Sequence, residues 1–377
     1  MSEEVSNARA AIVTGAAGQD GYFLTGRLLR EGWTVHALVR SPEAAQTLAP
    51  LRAGGSHLAV HDGDLLDPSK MLDLVADIRP EEFYNLAGSS SGSASFADPL
   101  GTWQVNANAT ALLLECIRTR SPHTRFYQAS SSEMYGYVPG ESAVHDEDSA
   151  INPQSPYASS KAAAHLTCRS YREAYGLRIS CGILFNHKSR RRSSRFLSRK
   201  VVDHVRALKL LSSAGLRVRE PLAMGNLKAE RDWGFAPDYV DGILRVMRQI
   251  GVRSKHLGTQ PDPDQGAFYR DYVLGTGRLH AVWQLVDRAF SLGGFDLEWQ
   301  LEGEDPTKWE ARFKETGLPA VVDPAFLRPT DPAAIQADAS RARGELGWEP
   351  EIGLDTFLED MLADDARLAP GPNARRP

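Results

Sequence analysis

From Ala10 onward the chain alternates short apolar runs with longer amphipathic ones, and this alternation constrains the fold more than any other feature. Ala10–Thr14, Thr34–Val39, Leu58–Val60, Phe83–Leu86, Arg125–Ala129 and Arg178–Phe185 are rich in Val, Ile, Phe or Leu. Between them Tyr22–Glu31, Lys70–Ile78, Thr102–Arg118 and Pro156–Tyr175 carry helical spacing. Strands separated by helices of this length cannot form hairpins. They predict crossover connections, and so a doubly wound parallel sheet of the α/β class.

After Phe185 the pattern loosens. A basic stretch leads into a helix over Phe196–Leu210, a loop over Leu216–Gly234 and a helix over Asp238–Gln249. Gly251–Phe268, rich in Gly, Pro, Asp and Gln, reads as a surface insertion. Tyr272–Leu274 suits one more strand, and His280–Phe290, Pro332–Leu346 and Leu354–Asp365 read as helices. Apolar residues at 42% and charged residues at 24% exclude a disordered or coiled-coil chain. No apolar stretch is long enough to span a membrane, and acids stand at Glu3 and Glu4 where a secretory leader needs bases. Cys116, Cys168 and Cys181, odd in number and in apolar or helical settings, read as reduced core residues and not as metal ligands. With a net charge of −5, composition argues against a nucleic-acid partner. A soluble, cytoplasmic protein is expected.

The first strand runs straight into Thr14-Gly15-Ala16-Ala17-Gly18-Gln19-Asp20-Gly21 and then a helix. Glycines at 15, 18 and 21 permit a tight turn, close approach of backbone N–H groups to a pyrophosphate, and close helix–sheet packing. This is the dinucleotide-binding arrangement of a Rossmann domain. At the end of the second strand stand Arg40 and Ser41, with no acid before Glu43. A base there suits a 2′-phosphate, so NADP is expected in preference to NAD. Asp64 and Leu65 follow the third strand, where they could flank the adenine, and Leu86-Ala87-Gly88 ends the fourth. Tyr157 and Lys161, at i and i+4, share a helix face, and the ammonium is expected to lower the tyrosine pKa. A second polar cluster, Ser130-Ser131-Ser132-Glu133-Met134-Tyr135-Gly136, follows the fifth strand, at the sheet edge where such folds bind ligands.

Together these motifs resemble extended short-chain dehydrogenases/reductases acting on nucleotide sugars, and most of all the GDP-mannose 4,6-dehydratase group. Further matching segments are Gly182-Ile183-Leu184-Phe185-Asn186-His187, Arg231-Asp232-Trp233-Gly234, Phe326-Leu327-Arg328-Pro329 and Leu346-Gly347-Trp348-Glu349-Pro350. The resemblance spans roughly residues 10 to 365. It implies a Rossmann domain over 8–187 with returning segments of the C-terminal half, a smaller α/β substrate-binding lobe mainly over 188–365, and a flexible tail over 366–377.

The resemblance also implies roles. Ser131 matches a threonine that bonds the sugar 4-hydroxyl, Glu133 the acid/base at C5 and C6, Tyr157 the acceptor of the 4-hydroxyl proton, and Lys161 the holder of the nicotinamide ribose. Leu184, His187 and Arg192 match further NADP contacts. Asn186, Lys200, Gly225, Asn226, Arg231 and Arg328 match contacts to the substrate's nucleotide and diphosphate. Asp331 falls near the nucleotide ribose, and Ser89 on the sugar side.

The implied activity is a 4,6-dehydratase acting on a nucleotide-diphosphate sugar. A 4-epimerase or glucuronate decarboxylase on the same fold, and a catalytically silent NADP-binding regulator, are the alternatives. Gly88 to Gly92 and Lys188, Arg190, Ser193 and Ser194 depart from the family pattern around the sugar. Lys188 to Lys200 carries seven bases and no acid; a diphosphate contact, a solvated surface and a nucleic-acid patch are its possible readings. Family tetramers use an arginine- and serine-rich segment after the second strand. Here that segment reads as a short helix capped by Ser41. A homodimer is expected instead, with Leu112, Leu113, Leu114, Ala164 and Leu166 supplying its apolar contact.

Overall fold

The structure, a computed structural model, describes residues 9–52, 57–138, 140, 142–214, 222–249, 269–303, 305–313, 319–327 and 330–363. The expected 251–268 insertion, the 366–377 tail and Arg328 lie outside these residues. Among the described residues no helix is long and apolar enough to cross a membrane.

Seven strands, β1 (Ala10–Thr14), β2 (Thr34–Val39), β3 (Leu58–Asp62), β4 (Glu82–Asn85), β5 (Arg125–Ser131), β7 (Ile179–Leu184) and β11 (Tyr272–Leu274), form one sheet. Their order is β11-β7-β5-β4-β1-β2-β3 and every pairing is parallel. Both faces are covered, which is why apolar and aromatic residues recur on both sides of strands such as β1, β2 and β7. The period of two on β1 sorts its residues. Ala11 and Val13 pack with Leu24, Leu28, Ile243 and Met247 on one face, whereas Ile12 packs with Met71, Val75, Leu113 and Ile117 on the other. The chain leaves β1 toward β2 and β3 and returns to β4 on the opposite side. The crevice between the ends of β1 and β4 is therefore the topological switch point where such sheets bind ligands.

Two smaller sheets follow. One has the order β12 (Leu279–Ala281), β10 (Glu230–Phe235), β16 (Ala334–Ala337), β6 (Val144–His145), with β8 (Asn186–Lys188) also on β10; the other is β13 (Leu297–Gln300), β14 (Glu310–Phe313), β15 (Pro319–Val322), β9 (Leu222–Met224). A separate core of Val201, Val205, Phe290, Trp309 and Phe357 lies among them.

This half departs most from the sequence reading. The expected loop Leu216–Gly234 contains β9 and β10, His280 belongs to β12 with its helix starting only at Val282, and Ala334–Ala337 is a strand where a helix was expected. Ala-Ile-Gln-Ala has good helical propensity, but Ile335 and Ala337 are buried alternately in ladders to β10 and β6, and tertiary pairing overrides propensity. The helix expected over Thr102–Arg118 runs Pro99–Trp103 and Ala109–Arg120, joined by a π-helical turn at Gln104–Asn108.

The three cysteines are free and buried. Cys181 brings its donor atom within 4.8 Å of those of His165 and Asp271. Asp271, however, is clasped by two Arg172 nitrogens at 2.7 and 2.9 Å and accepts the Cys181 N–H at 2.9 Å. That clasp ties the helix Pro156–Tyr175 to β7 and to the start of β11.

Candidate active site

At the end of β1 the backbone of Gly15 takes φ +66°, and a Cβ there would stand 2.8 Å from the Ala87 nitrogen. A Cβ on Gly21 would collide with the Gly15 carbonyl. Only glycine permits this turn, and the close approach leaves a cradle open above it. Gly18 caps the helix Gln19–Arg30 with no side-chain hydrogen bond to the helix end. The Thr14 hydroxyl donates to Asn85 Oδ1 at 2.8 Å and accepts from the Ala87 N–H at 3.1 Å, stitching β1 to β4 across the switch point. An anion of pyrophosphate type fits this turn.

Around the turn Asp20 meets His187. His187 Nε2 lies 2.9 Å from Asp20 Oδ2 and Nδ1 lies 2.7 Å from the Phe185 carbonyl, while the ring stacks on Tyr239 at 4.4 Å. Gln19 donates to Asp20 at 3.0 Å and accepts from the Ser189 hydroxyl at 3.1 Å. Burial works to raise the Asp20 pKa, but His187, Gln19 and Arg192 outweigh it and hold the carboxyl below its ordinary value.

Farther along the edge, Arg40 is exposed with no hydrogen-bond or ion-pair partner among the described residues, whereas the Ser41 hydroxyl is spent capping Ala44 at 3.2 Å. Asp64 caps the Leu66 N–H at 3.0 Å, and Leu65 is buried. Leu86 and Ala87 are half-buried over β4, and Leu184 ends β7.

Ser131, Glu133 and Tyr157 come together at the end of β5. The Ser131 hydroxyl accepts the Glu133 N–H at 3.3 Å and shares a hydrogen bond with the Tyr157 phenol. Glu133 faces a pocket of about 20 Å³ whose walls include Phe96, Gly136, Gln154, Thr330 and Pro332. A larger groove of about 350 Å³, walled by Trp233, His280, Arg343 and Ile352, contains none of these chemical groups.

The expected tuning of Tyr157 by Lys161 is not what the structure holds. Lys161 Nζ donates to the Ala129 carbonyl at 2.9 Å, and burial pushes its pKa down to about 8. Burial likewise pushes the Tyr157 phenol up to about 12; Glu133 adds to this, while Ser131 and Arg192 oppose it. At neutral pH the resting pair is phenol and ammonium.

Sequence reasoning missed Asn106 and Ser95. Asn106, buried in the π turn, donates to the Ser160 hydroxyl at 2.9 Å and to the Ser89 carbonyl at 3.1 Å, and accepts the Ser89 N–H at 2.9 Å. Ser95 accepts the Tyr157 N–H at 3.1 Å. Both fix the loop after β4 to the helix Pro156–Tyr175. An asparagine within a helical run was the one available signal, and it is a weak one.

On the substrate side, Lys200 donates to the Ala223 carbonyl at 2.6 Å and lies 3.8 Å over the Phe326 ring, with burial lowering its pKa. A Cβ on Gly225 would press on the Phe326 carbonyl at 2.6 Å. Arg231 pairs with Asp331 at 2.7 Å and donates to the Pro332 carbonyl at 2.7 Å. Asn226 caps the Lys228 N–H at 3.0 Å, and Asn186 starts β8. Pro332 and Thr330 also wall the Glu133 pocket, so the Arg231–Asp331 pair abuts it.

Most of the basic stretch is spent internally. Arg191 lies 3.4 Å over Tyr22, Arg192 lies 3.6 Å over Phe196, and Arg199 pairs with Asp203 at 2.8 Å. Of the expected dimer contacts, Leu113, Leu114 and Ala164 belong to the core; Leu166 is exposed.

The family model for GDP-mannose 4,6 dehydratase matches residues 12–361. The chain is similar to GDP-mannose 4,6 dehydratase 1 of Arabidopsis thaliana, with 35% identity covering 98% of this chain and 92% of that one. It is also similar to the GDP-mannose 4,6-dehydratase of Vibrio cholerae, with 34% identity covering 96% and 95%. A relative from Sordaria araneosa, GDP-mannose 4,6-dehydratase sdnI, is 36% identical over 96% of this chain, which spans only 61% of that protein. Among solved structures, a dTDP-glucose 4,6-dehydratase of Bacillus anthracis in complex with NAD aligns with TM-score 0.70 at 18% identity, covering 94% and 96%. RMD of Pseudomonas aeruginosa complexed with NADPH aligns with TM-score 0.66 at 23% identity, covering 95% and 97%. The chain belongs to the GDP-mannose 4,6-dehydratase family.

Proposed function

We propose that this member of the family uses NADP to dehydrate a nucleotide-diphosphate hexose, with GDP-mannose the first candidate. That the chain is a nucleotide-sugar 4,6-dehydratase, a hydro-lyase, follows from membership along nearly its whole length. The observation that carries the reading is the meeting of Ser131, Glu133 and Tyr157 at the end of β5. The dinucleotide would lie over Gly15, Gly18 and Gly21, whose open cradle fits it, with Lys161 and Arg192 toward its nicotinamide end. When bound, it supplies reversible hydride storage.

The chain's own residues do the rest. Tyr157 and Ser131 together hold the 4-hydroxyl, and Tyr157 takes its proton. Transient oxidation at C4 makes the C5 proton acidic; Glu133 removes that proton and delivers one to the hydroxyl leaving C6, and the hydride stored from C4 would then return to C6 as C5 regains a proton, giving a 4-keto-6-deoxy sugar. Lys200, Gly225, Arg231 and Asp331 would hold the nucleotide and diphosphate, together with Arg328. Incubation with GDP-mannose and a panel of other nucleotide hexoses, read by mass, tests this. Loss of one water is expected; loss of carbon dioxide means decarboxylation, and unchanged mass means epimerisation or no reaction.

The preference for NADP rests on Arg40, exposed and without a partner among the described residues, where no acid stands. NADP should bind more tightly than NAD by one to two decades, since a charge-assisted hydrogen bond is worth about 1.5–3 kcal/mol. Arg40→Ala should remove most of that difference in paired titrations. Equal affinity of the unmodified protein for both defeats the assignment.

For assembly we propose a homodimer on the outer faces of Pro99–Arg120 and Pro156–Tyr175, where Leu100, Trp103, Leu166 and Tyr175 are exposed. Light scattering at micromolar protein should report the mass of two chains; a monomer, or a tetramer that survives dilution, excludes it.

A further inference from the structure

We propose that Thr330 is a positioning residue for the dehydration: its hydroxyl ties the segment that would hold the nucleotide to the wall of the pocket that Glu133 faces. The proposal rests on the dehydratase reading above, which gives this threonine no part.

The Thr330 hydroxyl donates to the Gln154 carbonyl at 2.6 Å, joining residues 176 apart in the chain. Beyond Thr330 the chain is docked on β10. Asp331 pairs with Arg231 at 2.7 Å, the Pro332 carbonyl accepts from the same guanidinium at 2.7 Å, and the Ala333 carbonyl accepts the Glu230 N–H at 2.8 Å. Arg231 and Asp331 are side chains that would hold the diphosphate and the nucleotide ribose. Thr330 therefore begins where those nucleotide contacts end.

Gln154 is a firmly held acceptor. Its side chain accepts the Tyr137 N–H at 3.0 Å and donates to the Tyr137 carbonyl at 2.7 Å, while the Asn152 N–H donates to the Met134 carbonyl at 2.9 Å. These bonds fasten it to the turn that carries Glu133. Gly136 in that turn stands at φ +66°, and a Cβ there would collide with the Asn152 carbonyl. Immediately after Gln154, the Ser155 hydroxyl accepts the Ala158 N–H at 3.0 Å and caps the helix on which Tyr157 stands. One short piece of chain thus joins the turn of Glu133 to the helix of Tyr157, and Thr330 holds a carbonyl in the middle of it.

Gly136, Gln154, Ser155, Thr330 and Pro332 all wall the pocket of about 20 Å³ that Glu133 faces. A space of that size holds about one small group, so a wall that drifts changes how the sugar meets Glu133. Misplacing reacting groups by about 1 Å can cost about a hundredfold in rate. Thr330 itself is exposed. Substitutions at such positions usually change the stability of a fold very little. The loss of its hydroxyl should therefore be read in turnover and not in unfolding.

The test compares Thr330→Val, which keeps the branched shape and removes the donor, with Thr330→Ser, which keeps the hydroxyl. On the full chain with NADP, kcat and KM are measured for the nucleotide hexose that the unmodified protein dehydrates, GDP-mannose being tried first. The Kd of the matching nucleoside diphosphate and thermal unfolding are measured alongside. Thr330→Val should lower kcat about three- to tenfold, the scale of one hydrogen bond. Its KM, its Kd for the diphosphate and its unfolding temperature should stay close to those of the unmodified protein, because Arg231 and Asp331 remain in place. Thr330→Ser should recover most of the lost turnover. Should Thr330→Val not fold, Thr330→Ala takes its place with the same expectations.

A kcat for Thr330→Val equal to that of the unmodified protein overturns the proposal. So does Thr330→Ser turning over as slowly as Thr330→Val, since shape and not the hydroxyl would then matter. A loss confined to KM and Kd overturns it too, by making Thr330 a support for the nucleotide alone. An unmodified protein that dehydrates no nucleotide hexose overturns the dehydratase reading, and the proposal falls with it.

Discussion

Tyr157→Phe and Glu133→Gln should both abolish product, but at different steps. General acid–base groups contribute roughly 10²–10⁴-fold, and losses on that scale are expected for each. Without the phenol the 4-hydroxyl keeps its proton, C4 oxidation is blocked, and the cofactor stays oxidised. Without the carboxylate, oxidation proceeds and elimination stops, so the absorbance of reduced nicotinamide should build up in a single turnover. The two residues share Ser131 as a neighbour, so neither substitution need disturb the other's placement. Near-normal dehydration by Glu133→Gln would mean that another group works at C5 and C6.

For stability the largest expected effect is at Arg172. Its guanidinium, 9% exposed, meets Asp271, 11% exposed, through two bonds, and also donates to the Ile179 carbonyl at 3.1 Å. Arg172→Leu strands the carboxylate in the core, and removing one partner of a buried pair costs about 3–5 kcal/mol. Denaturant unfolding should show that loss at neutral pH. Burial opposes ionisation of Asp271, but Arg172 outweighs it, with help from His165 and the Cys181 N–H, and holds the carboxyl below its ordinary value. A depressed carboxyl pKa stabilises above the unfolded value, about 3.9, and the benefit is lost as pH falls through the folded value. The gap between the two proteins should therefore narrow on acidification below about pH 4. A gap of less than about 1 kcal/mol at neutral pH would show that the site relaxes or admits water.

The seven-stranded half was legible because its signals are local and repeated. Most strands carry apolar residues on both faces, the helices between them carry apolar stripes, and Gly15 and Gly21 stand where no side chain fits. The meeting of Ser131, Glu133 and Tyr157 was legible for a different reason: Ser131 and Glu133 lie two residues apart at a strand end, and Tyr157 opens the next long helix. What escaped depends on distant pairing. Nothing near Ala334 announces that it will lie beside Glu230, and His280 becomes a strand residue only because Arg231 stands opposite. Asn106 matters through Ser89 and Ser160, 17 and 54 residues away. The expected lowering of the Tyr157 pKa is not found because i,i+4 spacing says that two groups share a face, not that they touch. Lys161 in fact reaches the Ala129 carbonyl, and burial dominates both groups. Leu113 and Leu114 face the sheet and Ala164 is buried, a matter of helix rotation that composition does not report.

That rotation is governed by the π turn at Gln104–Asn108. A turn holding one residue too many works as a built-in phase shift: the helix before it and the helix after it keep separate registers along one continuous axis. Before the shift Leu100 and Trp103 look outward; after it Leu113, Leu114 and Ile117 look into the sheet. Each residue of an α-helix advances the face by about 100°. The wide turn takes up its extra residue locally, so deleting one amino acid from Gln104–Asn108 should restore a regular α-helix with both flanking faces in place. The same deletion after Ala109 has no such slack, and it would carry Glu115 and Arg118 onto the places that Leu114 and Ile117 hold against the sheet. The turn is therefore the one stretch of this long helical run that tolerates a change in length.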